Sequence, residues 1–229
     1  MTEPTVNRKA EARIPTEFGE FVLGYYDNSL DDKAHLTFHM GDISHKSDVL
    51  VRVHSECLTG DIFGSRRCDC GEQLDHSLRM IAEQGAGLLI YLRQEGRGIG
   101  LLQKIHAYNL QDKGHDTVDA NLLLGHAADE RSYILATLIL KDLNIHSVRL
   151  ITNNPDKISA LEADGIAVSE RVELKDFINA DNSNYLITKV KRMNHLLNVP
   201  DEAVSVSYTH LRAHETPEHL VCRLRLEKK

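Results

Sequence analysis

Residues 87–110 read GLLIYLRQEGRGIGLLQKIHAYNL, and this stretch decides the fold class. Gly87–Leu92 is a short apolar run of strand length, which predicts a buried strand. Gln94-Glu-Gly-Arg-Gly-Ile-Gly100 interrupts it with three glycines. Ile99–Leu110 then takes helical spacing, with Leu101, Leu102, Ile105 and Leu110 on its apolar side. A strand, a glycine turn and a helix in direct succession form the repeating unit of a sheet covered by helices. Such a turn aims backbone N–H groups at an anion, and Arg97 adds a bidentate donor. The spacing of Gly96, Gly98 and Gly100 is neither a dinucleotide fingerprint nor a Walker loop. A plain tight turn is the alternative reading.

The flanks extend the pattern. Phe18–Tyr26 and Ala34–Met40 alternate apolar and polar residues around a turn-rich Asp27–Asp32, which predicts an antiparallel pair. Asp48–His54 reads as a third strand and Gly71–Gln84 as a helix. Ala127–Leu143 reads as one long amphipathic helix whose apolar face is core. Ser147–Ile151 and Ile166–Val172 read as strands, Pro155–Ala163 and Tyr185–Leu197 as helices, with Pro155 in a first turn. The expected fold is α/β: a single compact domain, a mixed sheet with N-terminal antiparallel strands, and helices covering the sheet. Thr152-Asn-Asn-Pro-Asp-Lys157 repeats the strand–cap–helix unit. Lys157 falls in the first turn, where the helix dipole disfavours a cation unless an anion is near. The alternative is a solvated surface lysine. Ala128-Asp-Glu-Arg131 is placed at another helix start, where Asp129 suits the dipole and Arg131 does not.

The chain has 229 residues, with 27 Lys and Arg against 34 Asp and Glu, a net charge of −7, and four cysteines. An acidic total speaks against bulk nucleic-acid binding. No apolar run reaches the roughly 18 residues of a membrane helix. Met1–Ala12 is a polar N-terminal segment without a signal-peptide core, so a cytoplasmic protein with no membrane partner is expected. Residues 206–229 differ in kind. Val206-Ser-Tyr-Thr-His-Leu-Arg-Ala-His-Glu-Thr216 and Leu220–Lys229 resemble the translation of a sequencing adapter, and they are set aside as non-native. Without them the balance is 22 Lys and Arg against 31 Asp and Glu, or −9, and three cysteines remain.

Those three are Cys57, Cys68 and Cys70, spaced C-x10-C-x-C. Thiolates at this spacing suit zinc. Three ligands leave a fourth position for water, as in a catalytic site. A closed structural site with His54 or His76 as fourth ligand, or a set of unligated buried thiols, are the alternatives.

Arg52-Val-His-Ser-Glu-Cys57-Leu-Thr-Gly-Asp61, Arg67-Cys-Asp-Cys-Gly71, Arg93-Gln-Glu-Gly-Arg-Gly-Ile-Gly-Leu101, Ala128-Asp-Glu-Arg131 and Leu150-Ile-Thr-Asn-Asn-Pro155 together resemble the GTP cyclohydrolase II family. The resemblance implies a catalytic domain over residues 13–198. It further implies zinc-dependent hydrolysis of GTP to 2,5-diamino-6-ribosylamino-4(3H)-pyrimidinone 5′-phosphate, formate and diphosphate, the first step of riboflavin biosynthesis. Cys57, Cys68 and Cys70 would hold Zn2+ with a water, and Mg2+ would accompany the GTP phosphates. GTP would be bound by Arg52, Val53, His54, Ser55, Glu56, Gln73, Glu95, Gly96, Arg97, Thr117, Thr152 and Lys157. Asp129 would accept a proton, Arg131 would attack the α-phosphate, and Tyr108 would stand at the guanine end. A guanidinium is a poor nucleophile, so transition-state charge stabilisation competes as the role of Arg131. The resemblance also implies a homodimer, and a standalone form without the dihydroxybutanone phosphate synthase to which members are often fused. A zinc-stabilised nucleotide- or RNA-binding module is the competing class, against which the −9 balance and the three-ligand count both speak.

Overall fold

The computed structural model describes residues 3–197, so the adapter-like residues 206–229 lie outside it. Seven strands form one mixed sheet in the order β1-β2-β3-β5-β4-β6-β7. The strands are β1 Val6–Thr16, β2 Gly19–Asn28, β3 His35–Met40, β4 Val49–Ser55, β5 Gly87–Leu92, β6 Ser147–Ile151 and β7 Ala167–Val172. β1, β2, β3 and β5 pair antiparallel in succession. β5, β4, β6 and β7 pair parallel. The helices are α1 Leu58–Asp61, α2 Cys70–Gln84, α3 Gly100–Gln111, α4 Thr117–Leu123, α5 Ile134–Asp142, α6 Pro155–Ala163 and α7 Ser183–Met193.

The alternation of strand side chains divides the core in two. Val49, Val51 and Val53 of β4, Leu88, Ile90 and Leu92 of β5, and Val148 and Leu150 of β6 face α5 and α6, where Ile139, Leu140 and Leu161 are fully buried. Leu50, Leu89 and Ile151 face the other way, toward Ile81 of α2, Phe21 and Leu174. The central strands are therefore apolar on both faces, as in a parallel sheet covered on both sides. Tyr26 donates from its hydroxyl to Asp142 at 2.8 Å, which ties the antiparallel half to α5. Because β4, β5 and β6 run parallel, their C-terminal ends deliver Ser55, Leu92 and Ile151 to one edge of the sheet. In open α/β sheets that edge is where ligands bind.

Four expectations need correction. β1 is a strand within and beyond the polar segment 1–12, so the boundary drawn between residues 12 and 13 falls inside one element. Its side chains are exposed along most of its length, and it is held by pairing with β2 and by ion pairs such as Lys9–Asp27 and Arg13–Glu20. A charged edge strand carries no hydrophobic period to read. Residues 127–133 are not helical. The Asp129 carboxylate accepts from Arg131 N–H, Glu130 Oε1 accepts from Ala127 N–H, and Arg97 C=O accepts from Glu130 N–H. Local side-chain acceptors thus displace the helix ladder, and α5 starts at Ile134 with its buried face in the core. α3 turns its apolar Leu102 and Ile105 to the outside, while Lys104 and Ala107 are buried. α7 stops at Met193, where Asn194 takes a left-handed conformation at φ 53°.

Ile139 has no solvent exposure at the centre of the larger core cluster. Ile139→Ala is expected to lower the unfolding free energy by about 2–5 kcal/mol. Leu102→Ala, at an exposed position, should shift it by less than about 0.5 kcal/mol. Denaturant unfolding of the two variants checks both.

Candidate functional site

Cys57 follows β4, and Cys68 and Cys70 bracket the start of α2. The three sulfurs lie within 4.8 Å of one another, Cys57 Sγ to Cys68 Sγ is 3.6 Å, and all three cysteines are free of disulfides. Four ligands at about 2.3 Å around a tetrahedral zinc stand about 3.8 Å apart, so the spacing fits. Gly60 permits it. A Cβ there would come to 3.0 Å from Cys68 Sγ and 3.1 Å from Cys57 Sγ. Hydrogen bonds from Cys68 and Cys70 hold the Cys57 thiol far below its ordinary pKa, and the same bonds push Cys68 up to about 12 and Cys70 well up. The negative charge thus rests on Cys57, and a soft divalent cation would have to displace the protons of the other two thiols to take all three as ligands.

No fourth His, Cys, Asp or Glu joins the three thiols among the described residues. His54 Nε2 sits 3.0 Å from Asp61 Oδ1, and His76 stands edge-on to Phe177. Asp61 also accepts from Cys57 N–H at 3.0 Å and from Tyr91 OH at 2.8 Å, so it orients the first cysteine. Lys104, buried on α3, donates to Cys57 Sγ at 3.1 Å and to Glu95 at 2.7 Å, and Glu95 in turn accepts from Leu58 N–H at 2.7 Å. The Tyr108 hydroxyl lies 3.2 Å from Thr59 Oγ1, with Arg67 over its ring at 5.0 Å. Burial raises its pKa.

The sulfurs open onto a cavity that also carries Glu56, Glu95, Gly96, Lys104, Tyr108 and Thr117. A second cavity shares Ser55, Cys70, Arg97, Arg131 and Tyr185 with it. Among the described residues five cations, Arg52, Arg97, Arg131, Lys157 and Lys189, line the second cavity, and no carboxylate does. Lys157 is buried and donates to Val53 C=O at 2.7 Å. Burial, followed by Arg52 and Arg131, depresses its pKa well below that of an ordinary amine. It is thus no solvated surface lysine. Arg52 is buried too, with its pKa lowered to about 10 by desolvation, and donates to Ile151 C=O and Gln73. Asn154 caps α6 by accepting from Asp156 N–H at 2.9 Å. In the glycine turn Arg97 holds φ 64°, fixed by Thr117 Oγ1 at 3.2 Å and by its own carbonyl on Glu130. Gly96 N–H is taken by Glu95 at 2.8 Å, so this turn presents the Arg97 side chain rather than that amide.

Most of the residues named from the sequence therefore converge on the paired cavities. Two do not line them. Val53 points into the core and offers only its carbonyl, and Asp129 stands behind Arg131, whose Nε it accepts at 2.9 Å. Arg131 holds the Asp129 carboxyl below its usual range against the opposing effect of burial, and Asp129 raises the Arg131 pKa. Sequence reading missed Lys104, Asp69, Tyr185, Lys189 and His195. Asp69 is fully buried between two of the cysteines, pairing with Lys189 at 2.8 Å and accepting from Gln73 Nε2 at 2.5 Å. Lys104 had a signal, as a cation on a helix whose neighbouring cluster needs one. Residues of α7 had none, because only folding brings them to the cavity.

Comparison with known proteins shows what the chain is similar to. A sequence model of the family described as GTP cyclohydrolase II matches residues 7–173. The riboflavin biosynthesis protein RibBA of Bacillus velezensis is 53% identical over 193 residues, 84% of this chain and 48% of that protein. RibBA of Bacillus cereus is 54% identical over 197 residues, 86% of this chain and 50% of its own length. The chain spans about half the length of the curated relatives it matches. Among solved structures, RibBX of A. baumannii, a two-domain 3,4-dihydroxy-2-butanone 4-phosphate synthase, aligns at 19% identity with a TM-score of 0.42. That alignment covers 75% of this chain and 41% of that one. No helix among the described residues is long and apolar enough to cross a membrane.

The Asp129–Arg131 pair makes a pH-dependent contribution to stability. The Arg131 guanidinium holds the folded Asp129 carboxyl below its ordinary value of 3.8, against the opposing effect of burial. The stability lost in Asp129→Asn is therefore expected in full at pH 7, to shrink as the pH falls below about 4 and to vanish below the folded value. Unfolding curves of wild type and variant from pH 7 to pH 2 check the sign.

Proposed function

The chain belongs to the GTP cyclohydrolase II family, and on that premise we propose that it hydrolyses GTP to 2,5-diamino-6-ribosylamino-4(3H)-pyrimidinone 5′-phosphate, formate and diphosphate, opening riboflavin biosynthesis. One observation carries the reading. Three thiols at metal-binding spacing and a carboxylate-free ring of five cations face two cavities that share a wall. A purine nucleoside triphosphate needs both, a Lewis acid at its base and cations at its phosphates. Zinc held by Cys57, Cys68 and Cys70 would supply water activation at neutral pH. Magnesium enters as part of the substrate, bound to the triphosphate oxygens.

The chain's own residues divide the remaining work. Tyr108, Lys104 and Glu95 line the thiol side, where the base is placed. Arg52, Arg97, Thr152 and Lys157 line the cation side, where the phosphates are placed. Two waters act at C8, one to open the imidazole ring and one to release formate. A third cleaves between the α- and β-phosphates. Arg131 stands in the wall common to both cavities, protonated and held by Asp129. A guanidinium kept charged in this way suits stabilisation of the negative charge that grows on the α-phosphate, and it opposes nucleophilic attack. Asp129, the proton acceptor implied by the resemblance, is a weak base while it holds Arg131, so positioning of that guanidinium is its first role. Free cysteines in the site support a reducing, cytoplasmic setting. The exposed Leu102 and Ile105 of α3 and Leu122 and Leu123 of α4 support a homodimer, which sedimentation equilibrium tests.

Zinc-loaded protein incubated with magnesium GTP is expected to release formate and diphosphate in equal amounts. Cys68→Ser should abolish formate. Folded, zinc-loaded wild type that yields none would refute the reading. Under single turnover no guanylyl adduct should form on Arg131, and Arg131→Lys should retain measurable diphosphate release. A trapped adduct would restore the nucleophile role.

A further inference from the structure

The second cavity contains a histidine that the reading above leaves idle. His195 lies beyond the family match, just after α7, and lines the cation-rich wall. Its Nε2 is buried and has no hydrogen-bond partner among the described residues. Its position is nonetheless defined. Asn194 turns the chain in a left-handed conformation, His195 N–H donates to Lys189 C=O at 3.1 Å, and Leu196 N–H donates to Asn153 C=O at 2.9 Å. Asn153 belongs to the turn that precedes Lys157. The backbone that carries the imidazole is thus pinned to the same turn that supplies the candidate phosphate ligands. A buried nitrogen without a partner is costly unless something else meets it.

We propose that His195 is a ligand of the substrate's polyphosphate, which it meets by taking up a proton as the anion enters the cavity. The inference rests on the GTP reading above, and extends the phosphate site to a segment outside the family match.

The charges around the ring explain why a histidine serves here. Among the described residues, Arg52 and His54 on β4, Cys70 at the start of α2, Arg97 in the glycine turn, Arg131 with Asp129 behind it, Lys157 on α6, and Lys189 paired to Asp69, beside Tyr185 on α7, make up the ionisable surroundings. A further permanent cation would add repulsion to an empty cavity. A neutral imidazole adds none. Burial, then Lys189, Arg131 and Lys157, lower its pKa to about 3, so it is neutral in the free protein near pH 7. A di- or triphosphate reverses the sign of the local field, raises that value and makes Nε2–H a charge-assisted donor. The bound value lies above the free one, so affinity gains from His195 as the pH falls through the bound value, and the gain fades above it.

Isothermal titration of zinc-loaded protein with magnesium pyrophosphate, in two buffers of different ionisation enthalpy at pH 6.5, measures the protons taken up on binding. Wild type should take up roughly half a proton or more beyond His195→Gln, a difference in which the titration of pyrophosphate itself cancels. At pH 6 the variant should bind about tenfold more weakly, and the gap should narrow by pH 8.5. Equal uptake and equal affinity in the two proteins would overturn the proposal. Wild type alone supplies a second test. With nitrogen-15-labelled histidine, saturating pyrophosphate should convert one imidazole from neutral to doubly protonated, and no change in any imidazole refutes the role even if the variant fails to fold. A protein that releases formate yet shows no such change loses only the His195 assignment. One that neither binds pyrophosphate nor releases formate loses the GTP reading with it.

Discussion

Five cations facing one cavity that has no carboxylate on its wall set the terms for the rest of the structure. Buried positive charge is costly unless it is paired or hydrogen-bonded. Each cation is met from behind. Arg52 rests on Ile151 C=O and Gln73, Lys157 on Val53 C=O, Arg97 on Thr117, Arg131 on Asp129 and Lys189 on Asp69. The partners are backbone carbonyls near the C-terminal ends of strands, the Gln73 amide, the Thr117 hydroxyl, and carboxylates set outside the cavity wall. The positive faces are left for an anion. This arrangement requires parallel β4 and β6 with their ends together, because one strand supplies the carbonyl that the residue anchored by another must reach.

The same chain of contacts links the cations to the thiols. Arg52 donates to Gln73, Gln73 to Asp69, and Lys189 closes on Asp69, which sits between Cys68 and Cys70. Helix α7 is thereby joined to the cysteine turn, and the turn to the strand that carries Arg52. On the other side Asp61 joins Cys57 to His54 and Tyr91. Two buried aspartates thus hold the two arms of the cluster at the separation a metal needs. The Cβ that Gly60 lacks leaves room for the sulfurs. Nothing in this network is strong alone, but each member leaves a buried partner unsatisfied if removed, so the cost of breaking it is cooperative.

The fold was legible where hydrophobic period and caps agree. The apolar run of β5, the Pro155 start of α6 and the spacing of α2 all emerged where the sequence put them. It was illegible where side chains serve something other than the core. β1 is charged and paired at an edge, residues 127–133 spend their hydrogen bonds on Asp129 and Glu130, and α3 buries Lys104 while exposing Leu102 and Ile105. In each case a polar contact outweighs the apolar pattern. The helix expected from Ala127 failed for the reason that makes Arg131 available, since the loop holds its guanidinium in the shared wall.

The sequence by itself determined the kinds of atoms available: three close cysteines, a glycine turn around Arg97, a capped helix start at Asn154, and strands and helices in α/β order. Those are local facts, set by spacing over a few residues. Tertiary structure decided which atoms meet. It put Lys104 on Cys57 across 47 positions, Lys189 on Asp69 across 120, and Lys157 on the carbonyl of Val53 across 104. It also withdrew Asp129 and the Val53 side chain from the cavities and brought His195 in. The physical reason is that pairing of buried charge depends on distance in space, and sequence spacing encodes that distance only within a single turn or helix.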